Sequence, residues 1–252
     1  MKQGFSDATA MTWRNLKAMS RNPQVILFST FQPVIFVLTF RYVFGGSIRV
    51  PGIDYVNFLM PGVFVQSVAF GGMNTAAGLA EDLSKGLIER FRSLPMARSA
   101  VLAGRALADL VRNVGVVALM IGVGFLVGFR LTGSLAEFAL AFAIIIAFSF
   151  GISWVFALIG LLSSNAEAAQ AMGFPILAIL VFASTAFVPI DGMPGWLQAY
   201  NKFQPVSVTV AAVRGLTLGT ATTGQVLGAL AWAVGLVVLF APFAVRRYRR
   251  AQ

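Results

Sequence analysis

The sequence predicts an all-α integral membrane protein with six transmembrane helices, and three observations carry that prediction. Of the 252 residues, 58% are apolar and only 11% charged, whereas a soluble domain holds about 45–50% and about 25%. No soluble fold of this length has interior enough for so much Phe, Leu, Val and Ala. The apolar residues also gather into six stretches almost free of charge, each near the roughly 20 residues that cross a hydrocarbon core of about 30 Å. Finally, Lys and Arg fall mainly on one side of the resulting topology.

Taken in order, residues 1–23 precede any apolar run. Met11, Trp13, Leu16 and Met19 alternate there with Arg14, Lys17 and Arg21, a weakly amphipathic pattern ending at Asn22-Pro23. It suits an interfacial helix with Trp13 at headgroup depth, or a plain topogenic flank. A cleavable signal would place a short apolar core much nearer the start. The spans are placed at 24–44, 56–80, 106–129, 138–162, 170–190 and 226–245. Pro33, Pro61, Pro175 and Pro242 fall inside or at the edges of these runs, where neighbouring helices can satisfy the carbonyls a proline frees. Arg105, Asp109 and Arg112 stand at i, i+4 and i+7, one helical face, so the third helix is expected to begin before its charge-free part and to neutralise these groups near the headgroups.

Basic residues set the orientation. Lys2, Arg14, Lys17 and Arg21 precede the first span; Lys85, Arg90, Arg92, Arg98, Arg105 and Arg112 lie between or just inside the second and third; Arg246, Arg247, Arg249 and Arg250 follow the sixth. The other side holds Arg41, Arg49, Arg130, Lys202 and Arg214. Positive charge stays inside, so both termini are expected in the cytoplasm of a multi-pass protein of the plasma membrane. Topology thus explains the net charge of +10, and nucleic acid is not expected as a partner.

The chemistry available is narrow. There is no Cys and no His, which removes thiol nucleophiles, imidazole acid–base work and the usual soft metal ligands. No GxxxxGK[ST] sequence occurs, so the chain is not expected to bind ATP by a phosphate-cradling loop; no catalytic, cofactor or metal residue is assigned. All nine acids (Asp7, Asp54, Glu81, Asp82, Glu89, Asp109, Glu137, Glu167 and Asp191) are placed outside the spans or at their ends. An ion-coupled transporter or a channel-like protein, the alternative reading, would call for a charge at mid-membrane. A structural membrane protein would leave the polar loop described next unexplained.

That loop, 81–98, is the densest polar segment. Leu83, Leu87, Phe91 and Leu94 recur at helical steps opposite charges of both signs, and Pro95 ends the pattern. Such a stripe can seat in a groove on another protein or fold back on the membrane surface. Its residues, Gly78 to Arg98 followed by Gly104-Arg105-Ala106-Leu107-Ala108-Asp109, strongly resemble ABC-2 type permeases, and most of all their daunorubicin/doxorubicin-resistance group. Trp13-Arg14-Asn15-Leu16, Arg21-Asn22-Pro23, Met193-Pro194-Gly195-Trp196-Leu197, Asn201, Pro205 and Val206 add to the likeness, which runs along essentially the whole chain.

The resemblance implies a single transmembrane domain over 1–252 with an ABC-2, type V exporter-like fold. Trp13, Arg14 and Lys17 would belong to the interfacial helix. Glu81, Asp82, Lys85, Gly86, Leu87, Glu89, Arg90, Phe91, Arg92 and Pro95 would form a cytoplasmic coupling helix seated on an ATPase. The outer segment 191–225 would be partly re-entrant, and 246–252 a cytoplasmic basic tail. ATP and Mg would be bound by separate ABC ATPase subunits, and a homodimer or a closely related second permease would complete the pathway. The inner loop 163–170 carries no Lys or Arg, unlike the first.

For a path through the bilayer the candidates are polar residues inside apolar spans: Gln32, Gln66, Asn74, Thr75 and Ser184. Hydrogen bonding between helices is the competing explanation for each. Pro194, Trp196 and Tyr200 form an outer gate or simply anchor at headgroup depth. The small-residue pairs Gly124/Gly128 and Gly224/Gly228 permit close helix contact. The abundant Phe suits a hydrophobic or amphipathic cargo (a drug, an antibiotic or a lipid) as well as it suits lipid-facing packing.

Overall fold

The computed structural model describes residues 9, 12–14, 17, 23–48, 50–86 and 98–250, and every regular element among them is helical. Helix α1 spans Pro23–Thr39 and continues as a π turn through Phe44. It is followed by α2 (Tyr55–Ser84), α3 (Arg98–Leu126), α4 (Leu135–Leu162) and α5 (Ala166–Phe182). A short helix α6 (Gly195–Asn201), α7 (Pro205–Leu218) and α8 (Thr223–Arg250) complete the chain.

Four helices, α2, α3, α4 and α8, are long and apolar enough to cross a membrane, while α5 and α7 are shorter apolar helices. Contacts at the helix ends fix the directions of α2, α4 and α8. Near one end, the Tyr55 hydroxyl of α2 donates to Phe187 O at 3.0 Å, and a Cβ on Gly133, just before α4, would press on Leu216 O of α7. Near the other, Leu79 of α2, Ala157 and Leu161 of α4, and Ala244 and Tyr248 of α8 form a small cluster of their own. Arg14 reaches Asp82 at this second end, so the N-terminal segment and the end of α8 lie on the same side.

Helix α2 is the axle. It packs against α1, α3, α4, α5 and α7, and its apolar window is 83% buried against 17% for α8. Close approach needs small residues. A Cβ on Gly62 would collide with Ala186 O, one on Gly72 would lie 2.5 Å from the Phe156 ring, and one on α4's Gly160 would collide with Ala76 O. Local signals set the boundaries. Ser134 and Glu137 form a reciprocal capping box at the start of α4, and Asn165 caps α5 by accepting from Ala168 N. Gly219, at φ +72°, closes α7 in the left-handed conformation that glycine tolerates best.

Several boundaries correct the sequence reading. Helix α2 runs four residues beyond 80, to Ser84, and ends in a Lys85-Gly86 turn with Gly86 at φ +65°. Leu83 therefore belongs to α2, where it packs against the Leu79–Tyr248 cluster, and is not the first member of a separate coupling helix. The chain breaks there because a left-handed glycine turns it out of the helix. Helix α3 begins at Arg98, two turns ahead of 106. Helix α5 stops at Phe182 rather than 190, in a turn that brings Ala183 to Pro189 against α2. The segment 191–225 is mostly helical, as α6 and α7, and α8 continues through the basic tail to Arg250. Gly128 lies outside α3 at φ +101°, so Gly124/Gly128 is no helical pair; Gly124 packs on Met60.

Candidate functional site

Polar groups gather at two centres, one toward each end of α2. The first joins α1, α2, α3 and α4. Arg112 pairs with Asp109 at 3.0 Å, one turn back on α3, and donates to Gly71 O of α2 at 2.8 Å. The Thr75 hydroxyl donates to the same carboxylate. Asn113 accepts from Arg112 and donates to Ser149 Oγ of α4 at 2.6 Å. Gly71 makes room, since a Cβ there would sit 2.6 Å from Asn113 Oδ1.

A second arginine repeats the arrangement two turns nearer the helix end. Arg105 binds Asp82 at 3.1 Å and Asn74 O at 3.2 Å, its guanidinium lying across Gly78 where a Cβ would collide with it. Asp82 also meets Arg14, at 3.8 Å. One carboxylate thus ties the N-terminal segment, the last turn of α2 and the first half of α3. Lys85 and Glu81 form an exposed i,i+4 pair, and the hydrogen bond from the ammonium to Glu81 raises the Lys85 pKa.

The third helix begins ahead of its charge-free part, as the 105/109/112 spacing predicts, and Asp109, 3% exposed, is packed between helices in its first half. Of the three-residue face 105/109/112, only the last two pair with each other; Arg105 turns to Asp82 across the helix gap. Four helix positions of spacing cannot reveal that choice, because cross-helix partners are nonlocal.

Of the candidate path residues, Gln32 and Asn74 line a small cavity of about 40 Å³ with Arg112 and Asn113, and Thr75 adjoins it through Asp109. Gln66 is buried, its Oε1 without a hydrogen bond among the described residues. Ser184 does not join them: it sits in the turn after α5, donating to Val181 O and accepting from Ala186 N. Trp13 is 69% exposed, and Lys17 is exposed too. Leu87, Glu89, Arg90, Phe91, Arg92 and Pro95 lie outside the described residues.

The second centre occupies the other end. Arg214 of α7 lies over the Phe58 ring, its Cζ 3.6 Å from the centroid. It donates to Phe58 O at 3.0 Å, Thr185 O at 2.9 Å and Ala186 O at 3.4 Å. Beside it Ser207 donates to Asn201 and accepts from Gln204 and from Thr185 N, which fixes the α6–α7 corner to the turn after α5. The sequence counted Arg214 only as one more charge of a connecting segment. An apolar helical run on either side, Val206 to Val213 and Leu216 to Leu218, was the available sign that it would be packed.

Arg214 borders a cavity of about 1300 Å³ between α7, α8 and the 50–53 turn. The expected gate residues lie elsewhere. Pro194 caps α6, Trp196 is 74% exposed, and Tyr200 is half-buried, which raises its phenol pKa; none of the three lines this cavity. Gly224 and Gly228 do. Among the described residues no three His, Cys, Asp or Glu side chains come together as a metal site.

An apolar helical bundle with ionic locks between its helices defines a multi-pass membrane protein. Comparison with known sequences sharpens that class: residues 7–218 match the ABC-2 type transporter family, and the chain belongs to it. It is similar to the daunorubicin resistance ABC transporter permease protein DrrB1 of Streptomyces coeruleorubidus, with 37% identity over 237 residues, 94% of this chain and 84% of that protein. It is also similar to the probable doxorubicin resistance ABC transporter permease protein DrrC of Mycobacterium tuberculosis, with 28% identity over 95% of this chain and 87% of that protein. A more distant relative is the putative transport permease ycf38 of Cyanophora paradoxa, 26% identical over 78% of this chain and 69% of its own length. The chain is therefore a membrane-spanning permease of an ABC transporter.

Proposed function

We propose that this chain is the permease subunit of a drug exporter, six helices deep in the plasma membrane with both termini cytoplasmic. Two copies, or this chain and a related permease, flank the path of a hydrophobic or amphipathic cargo of the anthracycline kind. Helices α1, α2, α3, α4, α5 and α8 are the spans. With its 17 residues α5 reaches about 26 Å, enough for most of the hydrocarbon core, and the π turn extends α1 comparably. Trp13, Arg14 and Lys17 lie at the inner interface, and the segment from Glu81 through Pro95 seats on the ATPase. ATP and Mg bind there, not on this chain.

The observation that carries this reading is the Asp82 junction. It stands at the end of α2 that leads into the proposed coupling segment, and it grips Arg105 of α3 and Arg14 of the N-terminal segment. A push delivered to residues 87–95 reaches α2 and α3 together through that junction. The ligand of the ATPase can shift the permease only by binding its two states differently, so a stiff connection is what the energetics require.

The test is co-expression with an ABC ATPase from the same genome, followed by daunorubicin uptake into inside-out vesicles. ATP-dependent uptake that vanishes with Glu89→Lys or Arg90→Glu supports the reading. Among the described residues buried Asp109 is the one feature favouring ion coupling, though Arg112 neutralises it. Uptake driven by a proton gradient without ATP, lost in Asp109→Asn, would replace the proposal with that mechanism.

A further inference from the structure

Arg214 has three carbonyl oxygens and an aromatic face for company, yet among the described residues no carboxylate lies within ion-pair distance of it. Carbonyl dipoles solvate a guanidinium but do not cancel its charge, and a cation held away from water without an anion is costly. Its Nε and Nη2 donors are taken by those carbonyls, which leaves the Nη1 pair to meet an oxygen of a phosphate or carboxylate. The cavity it borders continues past Gln225 and Lys202 to an apolar strip of α8 made by Gly228, Ala231, Trp232 and Gly235. The wall is two-sided in chemistry, with a cationic end and a greasy end. Asp191 also borders the cavity, leaving two cations against one carboxylate. The face of α8 beyond is open to lipid: Leu227, Val234 and Val238 are all about two-thirds exposed.

We propose that this cavity is a binding site for an anionic amphiphile of the bilayer, a phospholipid with a negatively charged headgroup. Its phosphate is held by Arg214 and its acyl chain lies along Gly228, Ala231, Trp232 and Gly235. The site stands apart from the ATPase-coupled end and does not depend on the identity of the cargo. By filling the space beside α7, the lipid joins α7 to α8.

The test uses the full-length protein in detergent, with native mass spectrometry and thermal melting as readouts. Its probes are dioleoyl phosphatidylglycerol, dioleoyl phosphatidylcholine and inorganic phosphate. Phosphatidylglycerol should be retained, and should raise the melting midpoint, at about tenfold lower concentration than phosphatidylcholine. Inorganic phosphate at equal concentration should do neither. Arg214→Gln should bring the two lipids to parity, with Arg214→Lys keeping part of the preference. Because Arg214 also holds the turn after α5, a second variant leaves it in place. A Cβ on Gly235 meets nothing within 4 Å, so Gly235→Phe can branch into the apolar end of the cavity and should weaken phosphatidylglycerol retention several-fold. Equal retention of the two lipids by the native chain would overturn the proposal. So would an unchanged preference in Arg214→Gln, undiminished retention in Gly235→Phe, an effect of phosphate alone matching the lipid, or dimers that carry no lipid.

Discussion

Two arginines sit in the packed interior of this bundle, toward opposite ends of α2, and the chain treats them differently. Arg112 is closed upon itself: Asp109 neutralises it, Gly71 O and Asn113 take its remaining donors, and Thr75 completes the carboxylate. Arg214 is held by carbonyls and a ring, and faces a large cavity. The first arrangement is a rivet between α2 and α3. The second keeps charge available. Burial alone, then, does not distinguish a structural cation from a binding one; the inventory of its partners does.

The largest effect should come from breaking the rivet from one side. Arg112→Ala leaves Asp109 buried without its cation, which costs about 3–5 kcal/mol, so the purified protein should melt far lower or fail to accumulate. Replacing both groups, Asp109→Asn with Arg112→Met, should recover much of that loss, since an apolar substitute for a whole buried pair is often neutral. If the double variant were no better than the single, the pair would have to be valued as a unit for something other than charge balance.

Next come the glycines. At Gly62 an added methyl meets the Ala186 carbonyl, a backbone atom that cannot step aside, whereas at Gly78 it meets the end of the Arg105 side chain, which can. Gly62→Ala should therefore cost about 1–3 kcal/mol and should also disturb Arg214, one of whose three acceptors is that carbonyl. Gly78→Ala should cost less thermally yet release Arg105 from Asp82. Comparing the two melting midpoints with ATP-dependent transport separates the ends: Gly62→Ala lowers stability first, and Gly78→Ala lowers coupling first.

Smaller still is Tyr55→Phe, which gives up one hydrogen bond to Phe187 O and should cost about 1 kcal/mol by the same melting assay. Least of all is Lys85→Gln. The Glu81 bond raises the Lys85 pKa, so the pair's contribution is complete at neutral pH and fades only as pH climbs through that raised value. Exposed i,i+4 pairs are screened by solvent. No measurable change in melting from pH 6 to 9, in either the native chain or the variant, is the expected result.

Much of this was written in the sequence. The charge-free runs located α2, α4 and α8 within a few residues, because hydrophobic length is a property of a single segment. The motif residues around Glu81 and Trp196 pointed to the family that comparison then showed. What escaped was pairwise. Nothing in the 105/109/112 spacing tells Arg105 to choose Asp82, and Gly71 and Gly78 read as generic small residues until an arginine is seen lying on each. The early start of α3 was legible from that spacing, but the depth to which Asp109 is buried was not, because burial depends on the helices packed around it. Arg214 was passed over for a related reason. A segment already labelled as a connection hides a helix whose one charge points into a cavity.

The loop between α3 and α4 has a mechanical implication. Thr132 and Gly133 both donate backbone N–H groups to Thr217 O, the Thr132 hydroxyl donates to Leu218 O, and Arg130 N donates to Asn57. The end of α7, the α3–α4 hairpin and the start of α2 are thereby stitched into one rim. Any dilation on that face has to leave the stitching whole and bend instead at the strips beside it, 183–194 and 219–222. A covalent staple between positions 132 and 218 should accordingly be silent in a working transporter, while one spanning either flanking strip should jam it.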